Sequence, residues 1–201
     1  MLPTAHKLGW IENLGARRKA TAINDVLSYG NHYQWGRPAD GHEITVWDGA
    51  TPTSGRGFHA ATALEALATS DAPGHPNFIL TDVTPFDWRS DNNNNRWATA
   101  TANQGPCPAG YHVPINTEWN TADTFGAWNN NTDTFNSGLK LPSAGFRHRF
   151  DGLLNAQGTL GTYWSSTVSV TTARLLNFSS TAALTNLSAR ASGFSVRCLR
   201  D

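Results

Sequence analysis

"PCPAGYHVPINTEWNTADTFGAW" (106–128) marks the sharpest change of local character in the chain. Its second part, 113–128, contains a helix. Pro114 precedes it, Asn116 or Thr117 can cap it, and Glu118 suits the positive end of the helix dipole. Trp119, Ala122 and Phe125 recur at helical spacing. Cys107 opens the stretch, and the one other cysteine, Cys198, lies near the far end of the sequence.

Working outward, "GFHAATALEALATS" (57–70) is the strongest remaining helix pattern, with Ala60, Leu64 and Leu67 on one face. "DAPGHPN" (71–77) breaks it. "HKLGWIENLG" (6–15) reads as an opening strand and turn, and 20–37 mixes a helical turn with aromatics. The Asn-rich runs "DNNNNRW" (91–97) and "NNNTDTFNSG" (129–138) read as loops. From Leu139 onward, short strands alternate with Gly-rich turns. Lys occurs three times and Glu four, while Gly and Asn are abundant, which disfavours long surface helices. The expected class is α+β: two helices, several short antiparallel strands and long ordered loops.

Composition narrows function. The chain has 201 residues, with fifteen acidic and fifteen basic side chains and no charge block. A nucleic-acid groove or an anionic membrane surface needs a basic field, so no nucleic-acid partner is expected. No apolar run approaches about 20 residues, so membrane insertion is not expected either. The first residues carry no apolar signal-peptide core. Cys107 and Cys198 suit either two buried thiols or one disulfide, which would contribute about 4–5 kcal/mol in chain-entropy models.

The usual catalytic constellations are missing. Seven histidines occur without His-x-x-x-His or Cys partners at ligand spacing. "GHE" (41–43) and "PC" (106–107) lack the second cysteine of a zinc deaminase, because Gly110 stands there. "GRGFHA" (55–60) does not follow a strand, so it reads as a turn and not as a dinucleotide fingerprint. "SDNNNN" (90–95) offers the oxygen ligands that a structural calcium takes, and equally suits a hydrated loop. No other cofactor is implied, and no further residues are expected to ligate a metal.

Several stretches, in order, resemble the Fibrobacter succinogenes major paralogous domain. They are "WIENLG" (10–15), "YGNHYQWGRPADGHE" (29–43), "TPFDWR" (84–89), "PCPAGYHVPINTEW" (106–119), "LKLPSAGFR" (139–147), "GTYWSST" (161–167) and "GFSVRCLRD" (193–201). The resemblance spans nearly the whole chain. It implies a single C-type-lectin-like domain over 1–201, of the formylglycine-generating-enzyme-like subtype. It also implies a non-enzymatic role, because members include variable proteins of diversity-generating retroelements. There, template adenines are rewritten to diversify a C-terminal ligand-binding region displayed on a virion or cell exterior. The partner would be a protein or cell-surface ligand.

Asn codons rewritten at their first two bases cannot yield Lys, Glu, Gln, Trp or Met. None of these five occurs from Ser165 to Asp201, whereas residues 1–164 hold nineteen. The variable region is therefore placed at about 165–192. Within "LLNFSSTAALTNLSARAS" (175–192), Leu176, Phe178, Ala182 and Leu184 are expected to face the core. Leu175, Asn177, Ser179, Thr181 and Ala183 alternate with them and are expected outside. "TNLSARAS" (185–192) reads as a loop, adding Thr185, Asn186, Leu187, Ser188, Ala189 and Ser192 as ligand contacts. Thr172 joins them, while Arg174 and Arg190 are taken as framework.

Two other functions follow from the same fold. A glycan-binding lectin, calcium-dependent or not, would usually carry Glu-Pro-Asn or Gln-Pro-Asp, and neither tripeptide is present. An oxidase like the formylglycine-generating enzyme would need reactive paired thiols in an open cleft. Cys107 and Cys198 sit in framework motifs instead.

Overall fold

The computed structural model describes residues 12–49, 51–97 and 105–201. Its strands are short: β1 (Tyr33–Gln34), β2 (Thr45–Trp47), β3 (Gly55–Gly57), β4 (Ala61–Leu64), β5 (Phe78–Leu80) and β6 (Tyr111–His112). Helices α1 (Asn116–Gly126) and α2 (Asn131–Asn136) follow. Then come β7 (Phe146–Arg147), β8 (Leu154–Asn155), β9 (Gly161–Ser169), β10 (Thr172–Phe178), β11 (Ala183–Ala189), β12 (Gly193–Phe194) and β13 (Leu199–Arg200). The class is α+β, with several small and mostly antiparallel sheets. Two sheets order as β11-β10-β9 and β1-β12-β7-β8, and they meet at a bridge between Tyr163 and Ser195.

Strand β10 decides where the core lies. Its residues "TARLLNF" are apolar on both faces, the pattern of a strand covered on both sides. Ala173 and Leu175 pack with Trp35, Trp164 and Val196. Leu176 and Phe178 pack on the other face with Trp119, Ala122, Leu141 and Tyr163. Helix α1 covers this second face, against β9, β10 and β11. Phe178 lies flat over Gly161, its cross-strand partner, where any Cβ would fall about 2.0 Å from the ring. Each buried aromatic of this kind contributes about 1.5–3 kcal/mol.

Tryptophan supplies both bulk and hydrogen bonds. The indole N–H of Trp164 donates to Tyr33 O (2.6 Å), that of Trp35 to Ser165 O (2.9 Å) and that of Trp88 to Trp35 O (2.7 Å). These three buried indoles thus satisfy main-chain carbonyls far away in sequence and tie separate parts of the chain together. Arginine does similar work. Asp87 accepts from Arg96 (2.6 Å) and Arg190 (3.3 Å), and both guanidiniums lie over the Trp35 ring. Cys107 and Cys198 form a disulfide that closes 91 residues, next to the β6–β13 pair.

Helix α1 is where the sequence places it, but its start differs. Neither Asn116 nor Thr117 caps it; Glu118 accepts from the Ile115 N–H (2.8 Å), and Thr167 Oγ1 accepts from Asn116 N–H (2.9 Å). Trp119 and Ala122 are buried as expected, and the Phe125 side chain lies outside the described atoms.

Three local expectations are corrected. The helix expected over 57–70 is instead β4 and a turn. Of the proposed apolar face, Ala60 and Leu64 are exposed and Leu67 alone packs on a core cluster, and parallel pairing with β5 wins over propensity. The second helix is α2, inside the expected loop 129–138, where Asn130 Oδ1 caps the N–H groups of Thr132 (2.8 Å) and Asp133 (3.1 Å). The stretch 185–189 expected as loop belongs to β11. The strand expected over 6–15 falls partly outside the described residues, and none forms over 12–15.

Candidate functional site

The β10–β11 hairpin carries the candidate surface. The Ser179 N–H donates to Ala182 O (2.8 Å), and the strands then pair from Phe178↔Ala183 to Thr172↔Ala189. The four turn residues change parity. Even-numbered residues of β10 share a face with odd-numbered residues of β11, so one alternation cannot run through both.

This geometry sorts the expected contacts. Thr181, Asn186 and Leu187 are exposed, and Thr172, Asn177, Ser179, Thr185, Ser188 and Ala189 are half-buried. Leu175 is a correction: at 3% exposure it is core, because β10 is covered on both faces. Ser192 is another, buried just after β11. Ala183 is half-buried against the cluster that holds Phe178, its cross-strand partner. Leu176 and Phe178 are core as expected, whereas Ala182 sits half-buried in the turn and Leu184 is 44% exposed. The expected contacts leave out three exposed positions, one of them Ser180 in the β10–β11 turn. Leu184 belongs to the accessible set, and so does Val170, 82% exposed in the β9–β10 turn. The signal for Leu184 was the turn length, which fixes parity.

The ends of the surface are held rigidly. Arg190, buried as framework, donates to Val170 O (3.0 Å), Thr172 O (3.3 Å), Asn92 O (3.3 Å) and the Asn94 side chain. It thereby ties the β9–β10 turn, the end of β11 and the Asn-rich loop to Asp87. Arg174, also expected as framework, is half-buried and makes no ion pair among the described residues. From Gly161 to Ser192 the titratable groups are Tyr163, Arg174 and Arg190. Tyr163 is buried, its hydroxyl donating to Pro142 O (2.7 Å), and burial pushes it up to about 12. This surface therefore carries shape and hydrogen-bonding groups and no acid–base pair.

Two other polar clusters are held mainly by hydrogen bonds within themselves. Asp40, His42 and Glu43 gather at metal-ligand range. Yet His42 Nδ1 meets Asp40 (2.7 Å), its Nε2 accepts from Gln34 N–H (3.0 Å), and Asp40 also accepts from Arg37 (2.9 Å). Burial pushes His42 down to about 3, so the neutral ring locks this corner by hydrogen bonds. In the Asn-rich loop, Asp91 accepts from Asn93 N–H (3.3 Å), Asn93 from Asn95 N–H (2.9 Å), and Asn94 faces Arg190. Two guanidiniums already bind the loop, since Arg96 donates to Asn93 O (2.9 Å), and their charge opposes the calcium considered there.

No protein-family model matches the chain, and neither do any curated protein or any solved structure.

Proposed function

We propose that the chain is a ligand-binding display scaffold with a C-type-lectin-like fold. Its C-terminal side chains, diversified by a retroelement, meet a protein or cell-surface ligand outside the cell or on a virion. The observation that carries this reading is the division between β10 and β11. The first buries Ala173, Leu175, Leu176 and Phe178 across its two faces, while the second buries no side chain and offers accessible ones in the region that lacks all five residues closed to adenine-directed change. The accessible set is Val170, Thr172, Asn177, Ser179, Ser180, Thr181, Leu184, Thr185, Asn186, Leu187, Ser188 and Ala189. In this reading the protein is not an enzyme. The Cys107–Cys198 bridge supports a structural role for both thiols and suits an oxidising exterior.

The deciding experiment is sequencing of the neighbouring DNA. A reverse-transcriptase gene beside a near-copy of the 3′ end, differing at adenines that map to the accessible set, is expected. A locus with neither would overturn diversification.

A further inference from the structure

We propose that the edge of β11, which pairs with no second strand among the described residues, takes an extended segment of a protein ligand as an added strand. The display reading supplies only the choice of a protein ligand; the edge itself follows from the hydrogen-bond pattern. Because Ser179 and Ala182 form a hydrogen-bonded pair, alternation makes 177↔184, 175↔186 and 173↔188 the bonded pairs of the ladder. The main-chain groups of Ala183, Thr185 and Leu187 then point away from β10. The side chain of Asn186 bears this out, since its Oδ1 accepts from the Leu187 N–H (2.8 Å) and stands where an incoming carbonyl would.

Sheet edges in monomers are usually guarded by charge, proline or a bulge. Strand β11, "ALTNLSA", has neither charge nor proline, and its register with β10 is unbroken. Leu184 and Leu187 flank the edge on opposite faces, each 44% exposed, so an added strand would cover both. Arg174 lies beside Leu187 on one face without an ion pair among the described residues. An acidic side chain at that position of the incoming segment complements it. Invariant main-chain bonds would supply affinity that survives diversification, and the variable side chains would set specificity.

Short random peptides displayed on phage can be selected on the full chain and the enriched peptide titrated into labelled protein. Acidic residues should be enriched, and amide exchange at Ala183 and Thr185 should slow on binding. Thr185→Pro removes an N–H that the ladder does not use and should weaken binding about tenfold or more. Asn186→Ala, which frees the Leu187 N–H, should bind as well or better, and keeps the test decisive if the proline variant fails to fold. The proposal is overturned if no peptide enriches, if peptides bind without slowing these amides, or if folded Thr185→Pro binds unchanged while Asn186→Ala binds more weakly. Slowed exchange that depends on protein concentration alone would assign the edge to a second copy and overturn it too. The DNA test above fails or succeeds without touching any of these readouts.

Discussion

Strands β10 and β11 are neighbours, seven residues each, and similar in composition, yet they live in different surroundings. β10 is flanked by strands on both edges and by aromatic clusters on both faces. β11 has one strand neighbour among the described residues, and its exposed leucines face solvent. Position in the sheet, more than hydrophobicity, sets what each residue may become. Leu175 and Leu187 are the same side chain, but the first is core and the second is a handle.

That contrast can be broken most sharply at Phe178. Phe178→Ala should cost about 3–5 kcal/mol, while Leu187→Ala should stay within about 0.5 kcal/mol, both read by denaturant unfolding. Comparable losses would remove the distinction between the two strands. Asp87→Ala should cost about 3–5 kcal/mol, because it leaves Arg96 and Arg190 buried without their carboxylate. The surface should loosen with it, seen as faster amide exchange around Val170 and Ala189. Replacing Cys107 and Cys198 by Ser should cost about 2–5 kcal/mol while leaving the β10–β11 hairpin spectrum in place.

The dependence on pH should be milder and should arise in the framework. Burial holds His32 neutral, pushed down to about 4, and His42 likewise at about 3. Unfolded histidine takes its proton near pH 6.5. Above that pH neither state is charged at these sites; below it, the unfolded chain binds protons that the folded chain refuses. Stability should therefore fall from about pH 6.5 toward pH 4. His112 acts in the opposite sense. Burial lowers it, but hydrogen bonds to Asp201 (2.6 Å) and Glu118 (3.1 Å) outweigh that and raise it. Its contribution is complete below the unfolded value and fades as pH rises through the folded one. His112→Ala should lose a small increment in mild acid and none in alkali, measured by unfolding midpoints across pH.

Much of this was legible because local chemistry and tertiary structure agree. Trp119 and Ala122 announce the buried side of α1, and the alternation at Leu176 and Phe178 announces one face of β10. Elsewhere the deciding facts are not local. Leu175 is core because Trp35 and Trp164 arrive from distant sequence to cover the second face. Leu184 is exposed because a four-residue turn reverses the chain and shifts parity. The alanine-rich 57–70 run is a good helix in isolation, and only its pairing with β5 reveals a strand. Conversely, α2 is six residues of poor propensity held by one asparagine cap, too short for periodicity to find.

The most direct measurement is a pair of libraries scored by protease resistance. One randomises Thr181, Thr185, Asn186, Leu187 and Ser188 together; the other randomises Leu175, Leu176 and Phe178. Most members of the first should remain folded, and almost none of the second. Equal survival of the two libraries, or collapse of the first, would contradict a rigid scaffold with a freely exchangeable edge.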